Sequence, residues 1–130
     1  RAKRSAGALF AVSDAMPTVH GPAEFELYGA RIRLRDGRLI DARGSLAGVH
    51  IDMVGTLQRL VRNVELPLET ALAMVTSLPA RAAGLDSDHG RLVAGARANI
   101  ALLDRERLDL EQLIIDGAPT PEARGAPKGS

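Results

Sequence analysis

The hydrophobic positions change rhythm several times along the chain. Ala8-Leu9-Phe10-Ala11-Val12 is apolar without interruption and stops at Ser13-Asp14. So short a continuous run predicts a strand buried on both faces, as in a parallel sheet. Ala15-Met16-Pro17 and Gly21-Pro22 follow, and this is loop chemistry. From Phe25 to Ile40 apolar and charged residues alternate, most strictly through Arg31-Ile32-Arg33-Leu34-Arg35. Alternation of period two predicts strands over about 30–35 and 38–41, with Asp36-Gly37 as the tight hairpin turn. Arg31, Arg33 and Arg35 then share one face, which reads as a solvated strand surface rather than an anion site.

Residues 50–64 carry Ile51, Val54, Leu57, Val61 and Val64 at steps of three and four, one stripe of an amphipathic helix. Pro67 breaks it. A second helix starts at Leu68-Glu69-Thr70 and is expected to stop at Pro79, and Ala80–Gly84 reads as a short third helix with glycine at its C-terminal cap. After a turn-rich connection over 90–95, strands are predicted over 99–104 and 112–116, the second ending in the Asp116-Gly117 turn. The predicted order is strand, hairpin, three helices and two strands. It defines an α/β chain with a β-rich end.

Composition narrows what such a chain can do. The 130 residues carry 17 Lys+Arg against 16 Asp+Glu, so no basic excess points to nucleic acid. No apolar run approaches the ~20 residues a membrane-spanning helix needs. The sequence has no cysteine, which excludes disulfides, thiolate metal sites and a cysteine nucleophile, and fits a reducing cytoplasm. Only Phe10, Phe25 and Tyr28 are aromatic, so a core must be built from Leu, Ile, Val, Ala and Met. The three histidines, His20, His50 and His89, stand at no metal-ligand spacing. His20 and His89 read as loop residues. The chain opens Arg1-Ala2-Lys3-Arg4 and closes Gly125-Ala126-Pro127-Lys128-Gly129-Ser130, and these ends read as those of a piece of a longer protein.

Several segments, in order, resemble the C-terminal third of N-acetylglucosamine-6-phosphate deacetylases, a branch of the metal-dependent amidohydrolases. Ser13-Asp14-Ala15-Met16 is similar to a TDAM segment at the end of the last barrel strand. Leu46-Ala47-Gly48 with Met53 is similar to an LAGS…M segment, and Val61-Arg62-Asn63 to AVRN. Pro79-Ala80-Arg81 with Gly84-Leu85, and Gly90 through Ile100, resemble stretches shared more widely among amidohydrolases. The resemblance implies the C-terminal portion of a (β/α)8 barrel plus strands of a small β-sandwich. A whole barrel typically takes ~250 residues, so a complete one is not expected here. On this reading residues 1–92 supply the last strand, the hairpin insertion and the closing helices of the barrel. Residues 93–130 supply sandwich strands and a tail.

The same resemblance assigns chemistry. Asp14 takes the part of the carboxylate that accepts a proton from water and returns it to the leaving amine. From local pattern alone it reads first as a turn or helix-capping Asp, and the resemblance reverses that order. Leu46, Ala47 and Gly48 are expected to contact the sugar phosphate, glycine allowing the backbone close to a ligand. His50 stands beside them, where the family pattern differs, as a further candidate contact. The divalent metal, Zn or Fe, is expected on ligands that precede this chain. The expected partners are the sugar phosphate and the missing N-terminal part or a second copy in a homodimer, without nucleic acid or membrane. The activity implied for the parent protein is deacetylation of N-acetylglucosamine 6-phosphate, the chain alone being inactive. The alternatives are a non-catalytic association module and a dihydroorotase- or adenine-deaminase-like branch, the latter opposed by the hairpin between Asp14 and Gly44.

Overall fold

A computed structural model describes residues 9–121. It is a mixed α/β structure with two three-stranded antiparallel sheets and three helices, and the described residues form no closed barrel. Contacts divide the chain into two units, Val12–Thr56 on one side and residues 9–11 with 57–121 on the other.

In the first unit β1 (Glu24–Leu27), β2 (Ala30–Arg35) and β3 (Arg38–Ile40) form a meander. Its register sets Phe25 against Ile32 and Leu34 against Leu39, so one face is apolar. Ile32 and Leu39 are the buried side chains of that face. The other face carries Arg31, Arg33 and Arg35, and Arg33 Nε pairs with Glu24 at 3.2 Å. Asp36-Gly37 forms the expected turn, with both residues at positive φ (49° and 71°). The pattern did not predict β1. Its turn is Tyr28-Gly29, also at positive φ (50° and 76°), a conformation unusual for Tyr. Beyond β3, Asp41 caps its own turn by accepting the amides of Arg43 and Ser45 at 2.8 Å. Leu46 then bridges back to Ile40.

The expected strand over 8–12 is corrected in part. Ala8 lies outside the described residues, and residues 9–12 are not in a strand. A run that is apolar on both faces needs a strand on each side to pair its backbone. Here the recorded backbone tie is the Ala11 amide to the Met74 carbonyl at 2.9 Å.

Three helices follow: α1 (Met53–Arg62), α2 (Leu68–Val75) and α3 (Ser77–Ala82). The first is shorter than 50–64 because Asp52 caps it, its Oδ1 accepting the Gly55 amide at 2.7 Å. At the other end Glu65 turns the chain at φ 58°. Contrary to expectation, Pro79 does not stop the second helix, which ends at Val75, but sits in the first turn of α3. Amides there have no intrahelical acceptor, so proline removes nothing. Gly84 closes α3 as predicted: at φ 71° it donates to the Arg81 carbonyl while Leu85 donates to Ala80.

The second sheet joins β4 (Ile100–Leu103), β5 (Leu110–Ile115) and β6 (Ala118–Pro119) in that order. The second unit's core is Leu57, Ala71 and Leu108, with Leu60, Val61, Leu66, Val75 and Leu103 packed round it. Gln58 fastens α1 to the turn before β5, donating to the Arg107 and Leu108 carbonyls and to Asp109 Oδ1. In the same unit Asp88 receives His89 Nδ1 at 2.8 Å and Arg97 Nε at 3.3 Å, and these partners hold its carboxyl below the usual range. That interaction is exposed, and His89 is a loop residue as expected.

Candidate functional site

Asp14 lies in the first unit, one residue before a parallel bridge between Ala15 and Val49. It is exposed and holds a left-handed backbone (φ 51°) that a non-glycine residue adopts at some cost. The bridge sets this segment beside the other candidate loop. The Met16 amide donates to the Val49 carbonyl at 3.3 Å, and the Met16 side chain lies over Gly48. Two candidate elements that are more than 30 residues apart in sequence therefore lie side by side.

Within the second element the three candidates differ. Leu46 is 74% exposed, an unusual setting for leucine. The Ala47 amide donates to the Leu39 carbonyl at 2.8 Å, so the loop is tied to β3. Gly48 has φ 135°, and a Cβ there would stand 2.7 Å from Met16 Cγ and 3.5 Å from Leu39 Cδ1. The close approach that glycine allows is thus to the Met16 side chain.

His50 is half-buried, and its Nδ1 shares a 2.9 Å hydrogen bond with the hydroxyl of Thr18, which is 3% exposed. Two residues further along each segment, His20 Nε2 meets Asp52 Oδ2 at 2.9 Å. These side chains line a cleft of about 470 Å³ together with Val19, Ala23, Leu34 and Ile51. Burial raises the Asp52 carboxyl, but the Gly55 amide and the His20 ring outweigh it, and the group stays below the usual carboxylate range.

The sequence analysis kept His50 as a candidate, read His20 as a loop residue and passed over Thr18 and Asp52. Asp52 was open to detection, since an Asp three residues before Gly55 at the head of an apolar stripe is an N-cap signature. The pairing of 18 with 50 and of 20 with 52 was not, because each spans 32 residues. Among the described residues no group of three or more His, Asp or Glu could hold a metal ion. No helix among them is long and apolar enough to cross a membrane.

The chain is 35% identical over 97 residues to the N-acetylglucosamine-6-phosphate deacetylase of Haemophilus influenzae, which covers 72% of this chain and 26% of that one. It is 29% identical over 107 residues to the N-acetylgalactosamine-6-phosphate deacetylase of Escherichia coli O157:H7, covering 82% and 28%. The crystal structure of the N-acetylglucosamine-6-phosphate deacetylase from Pasteurella multocida superposes with a TM-score of 0.79 at 27% identity, over 85% of this chain and 29% of that one. This chain thus spans between a quarter and a third of the length of these relatives. Residues 38–116 match the model of the amidohydrolase family. That segment takes in the candidate loop, all three helices and most of the second sheet, and the chain belongs to the amidohydrolase family.

Proposed function

We propose that this chain supplies the acid–base carboxylate and part of the substrate-facing wall of a deacetylase acting on N-acetylglucosamine 6-phosphate. The single observation that carries the reading is the side-by-side placement of the Ser13-Asp14-Ala15-Met16 segment and the Leu46-Ala47-Gly48 loop, joined at Ala15–Val49. These are the two segments whose residues match the deacetylase pattern. Identity to the Haemophilus enzyme and the Pasteurella superposition support the same branch.

In the proposed step a water oxygen adds to the carbonyl carbon of the acetamido group, and the water's proton passes to the Asp14 carboxylate. The carbon–nitrogen bond then breaks as Asp14 returns that proton to the nitrogen, releasing acetate and the free amine. An exposed carboxylate beside that bridge can meet both atoms in turn. Leu46, Ala47 and Gly48 form the adjoining wall for the sugar. Amidohydrolases are typically metal-dependent. On this proposal the residues that would hold the ion lie outside this chain.

The rest of the proposal concerns covering surfaces. On this proposal the described part of 1–92 belongs to a barrel and the strands after residue 93 to a β-sandwich, completed by an N-terminal part of the same protein or by a second copy, in the cytoplasm. Val12 is 69% exposed, and Leu9, Phe10, Leu113 and Ile115 also meet solvent, as residues built to be covered would. The test is acetate release by the full-length gene product from the 6-phosphates of N-acetylglucosamine and N-acetylgalactosamine. Faster release from the glucosamine compound is expected. Preference for its epimer would move the assignment to the other sugar, and no release from either would end it.

A further inference from the structure

The Asp14 segment makes few strong backbone ties of its own. The Ala15 amide reaches Ser13 Oγ and the Met16 amide reaches Val49, both at 3.3 Å, the long end of the hydrogen-bond range. Yet Asp14 keeps a left-handed backbone that its surroundings must impose. The shorter ties come a few residues later. Thr18 meets His50 and His20 meets Asp52, each at 2.9 Å.

We propose that these two contacts form a clasp that sets the Asp14 segment against Gly48–Val49, making Thr18, His20, His50 and Asp52 positioning residues for the site proposed above. The catalytic consequence rests on that reading; the clasp itself does not. Both sides of the clasp are stiff. On one side, Val19 donates to the Met16 carbonyl at 3.0 Å and Gly21 to Thr18 at 3.2 Å. A Cβ at Gly21 would lie 2.2 Å from the Pro17 carbonyl oxygen, so this turn is closed about as tightly as a chain allows. On the other side, Asp52 is fixed as the N-cap of α1 through Gly55. Thr18 is buried and uses its hydroxyl on His50, so the inner contact is partly buried while the outer one is exposed. Between clasp and catalytic segment, Met16 seats over Gly48, and a glycine there lets the two segments close. Movement at 18–20 therefore reaches Asp14 through a short rigid turn.

The test is hydrogen exchange of the full-length gene product, read on peptides covering 13–20 and, as an internal reference, 30–40. In Thr18→Val and His20→Ala, exchange over 13–20 should accelerate roughly tenfold, the loss expected for one hydrogen bond, while 30–40 stays at the wild-type rate. Thr18→Ser, which keeps the hydroxyl, should restore protection. Unchanged exchange over 13–20 in His20→Ala would overturn the clasp, and so would equal acceleration in both peptides. Should Thr18→Val fail to fold, the exposed His20 variant still decides. The same variants, assayed for acetate release, should lower kcat and leave KM near wild type. A loosened 13–20 segment with unaltered kcat would overturn the positioning role, whereas loss of turnover in Asp14→Asn tests the reacting carboxylate separately.

Discussion

Asp52 holds two roles in one side chain. One carboxylate oxygen caps α1 through Gly55, the other meets His20, and burial of the group opposes its charge. Because the net effect lowers its pKa below 3.8 in the folded chain, the folded state favours the ionised form. The stabilisation is then fully present above the unfolded value and disappears as pH falls through the lower folded value. Asp52→Asn should therefore reduce the resistance to urea at pH 7 and flatten its decline below about pH 4, the acid limb set by such carboxylates. An acid limb as steep as in the wild type would mean that Asp52 gains nothing from its partners. The residue scale is also where sequence reading fell shortest. Asp14 and Gly48 were identified from motif likeness, but the Met16 side chain that explains Gly48 is 32 residues away, and no local pattern reports such a contact.

At the scale of elements, local chemistry predicted most of what formed. Asp36-Gly37 and Asp116-Gly117 turn where their residues favour positive φ, and the three-four spacing from Val54 to Val61 became α1 around buried Leu57. Gly84 capped α3 because only a left-handed residue completes that turn. The misreadings have equally local causes. Tyr28 gives no signal for a left-handed turn, so β1 was missed. The pattern reads Pro79 as a terminator because a helix interior excludes proline, whereas a first turn accepts it. The run over 8–12 was judged on hydrophobicity alone, and strand formation also requires neighbours to pair with. Leu108 shows packing overriding backbone preference. It sits at φ 55°, unfavourable for leucine, and is buried against Leu57 and Ala71. Leu108→Ala removes the core contact and keeps the strain, so a loss of about 2–4 kcal/mol in unfolding free energy is expected from urea titration. A loss below about 1 kcal/mol would show that the site collapses to fill the space.

At the scale of the whole molecule, family membership and function stand on different ground. The match over 38–116 shows the amidohydrolase family. The activity is proposed from one arrangement, a carboxylate segment bridged to a glycine loop, in a chain that spans under a third of the deacetylases compared here. The alternation, the Asp-Gly turns and the helical stripe predicted parts of both sheets and the first helix. Nothing in them predicts which segments of a barrel meet, since that depends on strands that pair across long separations. The most direct measurement is acetate release from N-acetylglucosamine 6-phosphate by the full-length gene product and its Asp14→Asn variant, with substrate affinity measured in parallel. Asparagine keeps the shape but cannot accept the proton, so turnover should fall by roughly a hundredfold or more while affinity stays near wild type. Wild-type turnover in Asp14→Asn would contradict the account.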